Sequence, residues 1–142
     1  MSLIRIFIVE DDIFLSHLFK TTLEKLDHLE VHVFADSQEC INHLHLNPEV
    51  ITIDYHLPDM NGLELMEKIK NYNNDIQCIV VSGQEKLEVV IDTYKRGACD
   101  YIMKNENTTV NLENSIKNLL KTVELRRENE QLKDLIIDRN KY

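Results

Sequence analysis

Hydrophobic residues along the chain alternate between two spacings. Short apolar runs at Leu3–Val9, Val31–Phe34, Val50–Ile53, Ile76–Val81 and Cys99–Met103 predict strands, and apolar residues between them recur every three or four positions, as on a helix face. The first helical segment carries Leu15, Leu18, Thr22 and Leu26 on one face, the third Leu65, Met66 and Ile69, and the fourth Leu87, Val90, Ile91 and Tyr94. Four of the five strand candidates are nearly continuous in apolar residues, which is the pattern of strands covered on both faces. Boundary signals agree. Asp36 with Glu39 three residues on forms a capping box for the second helix, and Asn47-Pro48 ends it. Gly97 follows Tyr94-Lys95-Arg96 as a left-handed stop for the fourth helix. Strands alternating with helices in this way predict an α/β fold, a doubly wound parallel sheet with helices on both faces.

From Thr109 to Tyr142 the pattern is one long helix without proline or glycine. Leu112, Ile116, Leu119 and Val123 follow a 4-3-4 spacing that suits a fifth helix packed on the sheet. Leu125, Asn129, Leu132 and Ile136 repeat the spacing but lag by one residue, roughly 100° around the helix, so the two series face different partners. Residues 3–120 are therefore read as one domain and residues 121–142 as a helical extension. The second series predicts a parallel coiled coil with another copy, in which a seam asparagine such as Asn129 sets register. The alternative is a solvated amphipathic helix, since under two heptads is short. An extension of this kind also suits a linker to a further output domain.

Composition narrows the function. With 25 acidic against 16 basic residues the net charge is −9, which argues against direct contact with nucleic acid by this chain. Cys40, Cys78 and Cys99 are odd in number and far apart, and fit neither a disulfide framework nor a CxxC pair. The six histidines show no HExxH or comparable ligand spacing. No membrane-length apolar run and no secretory leader appears, so the expected location is cytoplasmic.

The chemistry lies at the predicted strand ends. In IFIVEDD a buried strand runs straight into Glu10, Asp11 and Asp12; the third strand ends in Asp54, the fourth in Ser82 and Gly83, the fifth in Lys104. In open α/β sheets the carboxyl ends of the strands meet around one crevice. Carboxylates crowded there need a counter-charge, and an all-oxygen set suits a hard divalent cation such as Mg²⁺. Asp54 is a candidate nucleophile toward phosphorus, with Lys104 sharing the phosphoryl charge. Ser82 and the Gly83 amide would donate to phosphate oxygens, and a side chain at position 83 would crowd that approach.

As a set, these residues resemble the receiver domain of two-component response regulators over about Leu3 to Leu120. The acidic pair, Asp54 with Leu57-Pro58 and Gly62 after it, Ser82, Tyr101 and Lys104 all match. The resemblance implies strand order 2-1-3-4-5, an extended C-terminal helix and Asp54 as phosphoacceptor. It implies Asp11 as a direct Mg²⁺ ligand, Glu10 as a ligand through water, and the backbone carbonyl of His56 as a further ligand. Ser82 and Tyr101 resemble the switch pair, and His56 and Gln84 occupy positions that tune dephosphorylation in the family. The implied partner is a sensor histidine kinase or a phosphotransfer protein; a homodimer is expected either through the face of the fourth helix, fifth strand and fifth helix or, from the spacing of the tail, through the C-terminal helix. The implied role is a phosphoacceptor switch rather than a turnover enzyme; the alternatives are a stand-alone phosphorelay carrier and a pseudo-receiver acting only by protein contact. A regulator of the sigma-54 activator type is similar in layout. A phosphatase-like hydrolase would carry a second acid two residues after the nucleophile, where this chain has His56. One departure stands out: family members usually have proline after the lysine, and here Asn105 follows Lys104. Either a trans bond with a re-routed loop or a cis bond, which costs about 2.5–4 kcal/mol without proline, is expected there.

Overall fold

Five strands, Ile4–Val9 (β1), Leu29–Phe34 (β2), Val50–Asp54 (β3), Gln77–Ser82 (β4) and Asp100–Met103 (β5), form one sheet in a computed structural model that describes residues 3–140. Every pairing is parallel and the order is β2-β1-β3-β4-β5. The expected order and extended C-terminal helix are both present. Helices Ile13–Glu24 (α1), Ser37–Asn42 (α2), Gly62–Tyr72 (α3), Leu87–Lys95 (α4) and Thr108–Asn140 (α5) connect the strands and close the chain.

The period-two geometry of each strand explains the two layers of core. Ile4, Ile6 and Ile8 of β1, with Ile79 and Val81 of β4, point to one side and pack with Phe19, Leu23, Leu112, Ile116 and Val123 of α1 and α5. Phe7, Val9, Ile51, Ile53, Cys78 and Val80 point to the other and pack with Cys40, Leu65, Met66 and Ile69 of α2 and α3. The central strand β3 is buried throughout, whereas the edge strand β2 is mostly half-buried. That exposure is why Leu29 and Glu30, a mixed pair, belong to β2 although the apolar run begins at Val31.

Two helix faces differ from expectation. In α1 Thr22 is buried and Leu15 and Leu26 pack half-buried against the core as expected, but Leu18 is 36% exposed and Ser16, Phe19 and Leu23 are buried in addition. Phe14, Leu15, Leu18 and Phe19 offer two overlapping stripes, and the larger ring of Phe19 takes the sheet side. In α4 the residue that is buried is Thr93, and Leu87, Ile91 and Tyr94 face solvent. Asp36 caps α2 as read, accepting from Glu39 N at 2.8 Å, and the Glu39 carboxylate reaches back one residue further than in a standard box, accepting from Ala35 N at 3.2 Å. α2 ends earlier than expected, at Asn42, and a single 3₁₀ turn, Leu44–Leu46, leads to Asn47 at φ 59°. Gly97, at φ 108°, follows α4 in the conformation expected of it.

The body of the domain also reaches further along α5 than residue 120. Val123 is buried, Arg127 pairs with Glu49 and donates to Leu3 O at 3.4 Å, and Arg126 donates to Asp75 O at 3.4 Å. These partners lie at the N-terminal edge of the sheet, before β1, β3 and β4. Residues 141 and 142 of the expected extension lie outside the described residues. Among the described residues no helix is long and apolar enough to cross a membrane.

Candidate functional site

Strand order reverses between β1 and β3, and the crevice at their carboxyl ends gathers the predicted residues. Glu10 follows β1 and is 3% exposed; Asp54 closes β3 and is 4% exposed; Asp11 is exposed. One carboxylate oxygen from each of Glu10, Asp11 and Asp54 lies within 4.8 Å of the others. Lys104, just past β5, places Nζ 3.1 Å from Asp54 Oδ2 and 3.1 Å from Glu10 Oε1. One ammonium thus faces two buried acids. Among the described residues, this ammonium is the one cationic partner of the buried Glu10 Oε1.

Electrostatics follow from this crowding. Burial, reinforced by the adjacent Asp54, pushes the Glu10 carboxyl up to about 8, with Lys104 pulling the other way. Burial opposes the charge on Lys104, but Glu10 and Asp54 outweigh it and hold the ammonium above its usual range. Asp12, the third acid of the run, is accounted for differently. Its side chain caps α1, accepting from Leu15 N at 3.1 Å, and only its backbone N–H meets the cluster, donating to Glu10 Oε2 at 3.4 Å.

The loop after Asp54 is fixed by its own backbone. His56 N donates to Asp54 Oδ1 at 3.2 Å, Tyr55 N donates to Val81 O at 2.9 Å, and Gly62 N donates to Tyr55 O at 2.7 Å. A Cβ on Gly62 would sit 2.6 Å from the Asp54 carbonyl oxygen, so only glycine lets α3 start this close to the end of β3. At Gly83 a Cβ would meet no atom within 4 Å, so protein atoms impose no crowding there. The sterically tight glycine of the site is Gly62. Asp59 ties the same loop to α2, accepting from Ser37 N at 3.1 Å and Gln38 N at 2.9 Å. Burial works against its charge, but these bonds prevail and lower its pKa.

Ser82 is fully buried at the end of β4, and its Oγ accepts from Gln84 N at 3.0 Å. Tyr101 is half-buried against the α3 side of the core, and its hydroxyl donates to Gln84 O at 2.8 Å. Gln84 Nε2 lies 3.1 Å from His56 Nε2. Both members of the expected switch pair therefore hold the backbone of one residue, Gln84, whose side chain meets His56. Spacing in the sequence carried no sign of this hub.

The Lys104–Asn105 departure resolves locally. No cis peptide bond occurs among the described residues. Asn105 N donates to the buried Thr108 hydroxyl oxygen at 2.7 Å, and Asn107 N donates to Asn105 Oδ1 at 2.7 Å. Proline lacks the N–H that Thr108 receives. The loop is re-routed onto the start of α5 while Lys104 N still donates to Ser82 O at 2.8 Å, in line with the sheet.

This arrangement is shared with known proteins. The family model described as the response regulator receiver domain matches residues 6–117. The transcriptional regulatory protein MalR of Bacillus subtilis (strain 168) is 32% identical over 106 residues, covering 72% of this chain and 44% of that protein. A protein-glutamate methylesterase/protein-glutamine glutaminase of Clostridium acetobutylicum is 34% identical over 110 residues, covering 75% of this chain and 32% of its own length. The chain thus spans less than half of either relative. A solved CheY-like receiver domain protein from Methanospirillum hungatei JF-1 superposes with a TM-score of 0.78 at 34% identity, covering 88% of this chain and 99% of that one. Sequence model, relatives and fold coincide on residues that also build the acidic crevice, and the chain belongs to the response regulator receiver family.

Proposed function

We propose that this chain is a phosphorylation-dependent switch that takes a phosphoryl group from a partner phosphohistidine onto Asp54. The observation that carries the reading is the juxtaposition of Asp54 with Lys104 at 3.1 Å, inside a cluster of three carboxylates at the switch point of the sheet. A carboxylate oxygen of Asp54 forms the P–O bond as the P–N bond of the donor breaks, and the electron pair leaves with the imidazole nitrogen, which takes up a proton. Lys104 would shift its charge from Glu10 toward the incoming phosphoryl oxygens.

The donor set fits Mg²⁺. It is all oxygen, and Glu10 Oε1, buried with Lys104 as its one cationic partner, is the kind of acceptor that a hydrated ion would share. Glu10, Asp11 and Asp54, with the His56 carbonyl, would hold the ion, which neutralises charge on the phosphoryl oxygens when bound. Ile13 and Phe14, large apolar residues exposed at the start of α1 beside Asp11, offer a seat on the rim for the phosphodonor protein. The Ser82 hydroxyl, which accepts from Gln84 N, would turn to the phosphoryl group. Tyr101, tied to the same residue, would move with it and alter the face made by α4, β5 and α5.

Intact mass spectrometry with Mg²⁺ and acetyl phosphate tests the reading. The wild type gains the mass of one phosphoryl group and Asp54→Asn does not. Absence of the adduct in both, with no Mg²⁺ bound in titration calorimetry, would replace the switch by a domain acting through protein contacts alone.

A further inference from the structure

The second half of α5 presents an unpartnered apolar stripe whose chemistry specifies its occupant. Past the arginine anchor, every residue from Glu128 to Ile137 is exposed. Leu125, Leu132 and Ile136, 60%, 56% and 58% exposed, lie with Asn129 along one line of the helix. The one-residue lag places this line roughly 100° from the sheet-facing series, and the drift of a 3.6-residue helix against a 3.5 repeat adds about 20° per heptad. The stripe therefore lies about 140° around the helix from Leu112, Ile116 and Val123, on the side away from its own domain. The domain cannot fold back over it.

We infer that this stripe is the seam of a parallel two-stranded coiled coil with a second copy of the chain. In heptad terms Leu125 and Leu132 occupy d, Asn129 and Ile136 occupy a, Glu128 occupies g and Arg126 and Lys133 occupy e. Isoleucine at a with leucine at d is the combination that favours two parallel strands. Orientation follows from the polar positions. Side by side, Asn129 meets its own copy, amide to amide, and Glu128 reaches Lys133 of the other chain across the g to e′ spacing. Head to tail, Asn129 is set against Leu132, and Arg126 is brought beside Lys133 with like charge. Neither Glu128 nor Lys133 has an ion-pair partner among the described residues, so both are available for this pairing. The Arg126 and Arg127 contacts with the N-terminal edge of the sheet mark where the helix stops belonging to its own domain and starts belonging to the pair. The inference does not depend on phosphorylation at Asp54.

Sedimentation equilibrium on the full chain from about 10 µM to about 1 mM reads the association directly. The wild type is expected to shift from 16.7 kDa toward twice that mass. Lys133→Glu, which sets two Glu128 side chains against two new carboxylates, is expected to weaken association about tenfold or more. The double variant Glu128→Lys/Lys133→Glu is expected to restore it. All these positions are exposed, so folding is not at stake. Oxidation of Asn129→Cys is expected to give a covalent dimer and Gln131→Cys, on the opposite face, is not. The native thiols do not compete, since burial raises Cys40 and Cys78 to about 12 and Cys99 to about 11. A wild type that stays monomeric to the highest concentration overturns the inference. So does a double variant no better than Lys133→Glu, or equal cross-linking at positions 129 and 131.

Discussion

α3 and α4 are helices of similar length with comparable apolar spacing, yet they use it oppositely. α3 buries Leu63, Leu65, Met66 and Ile69 against the sheet, whereas α4 buries Thr93 and turns Leu87, Ile91 and Tyr94 to water. Position explains the difference. α3 follows the central strand β3, whose neighbours on both sides extend the surface beneath it, while α4 sits between β4 and the sheet edge and has half that support. Apolar periodicity states which residues share a stripe; it does not state that the domain itself will cover the stripe. An uncovered stripe beside Tyr101 is where a partner-dependent surface belongs.

Hydrogen exchange before and after acetyl phosphate treatment tests that contrast most strongly. Exchange in α4 and in residues 83–86 is expected to change on phosphorylation while that in α3 does not, and Asp54→Asn is expected to abolish the change entirely. Equal responses in the two helices would erase the distinction. In denaturant titrations, Leu65→Ala is expected to cost about 2–5 kcal/mol through lost burial and the cavity left behind. Ile91→Ala, on the solvent face of α4, is expected to stay within about 0.5 kcal/mol.

A pH series sharpens the picture at the crevice between them. Glu10 keeps its proton in the folded, metal-free protein up to about 8 and loses it near 4.5 when unfolded. The folded state therefore binds more protons across that window, and stability from this group falls as pH rises through it. Thermal midpoints without divalent ions are expected to decline from pH 5 toward pH 8, and less so in Glu10→Gln. Lys104, with its raised pKa, stabilises fully below 10.5 and loses that effect only above, outside the window. A smaller effect is expected from Tyr101→Phe, which removes the bond to Gln84 O at about 0.5–1.5 kcal/mol while leaving the ring packed.

Much of this could be read from residue order. β1, β3 and β4 are legible because strands buried on both faces carry few polar positions to interrupt the run, and the ends of these strands, with that of β5, bring the acids, Ser82 and Lys104 to one crevice. β2 was read short because an edge strand tolerates Glu30, which pairs there with Arg5 at 2.8 Å. On α1 the spacing puts Leu15, Thr22 and Leu26 on the core side, and Leu18 alone falls outside it, because Phe19 beside it takes the sheet-facing position. At the site, the groups that carry charge were legible, whereas the connections were not. Asp59 on the α2 amides and the Gln84 backbone between Ser82 and Tyr101 join segments 21 to 22 and 17 residues apart, and such pairings depend on how loops close in space.

The arginine anchor on α5 gives the domain a mechanical property. Thirteen residues beyond Arg127 make an arm about 20 Å long, stiff because it is helical and hinged where Arg126 and Arg127 grip the base of the sheet. A tilt of about 5° at the hinge displaces the far end of such an arm by nearly 2 Å, roughly the rise of one helical residue. Small rearrangements in the domain would thus arrive at the end of α5 as displacements of register size, with gearing set by arm length and not by the strength of any single contact.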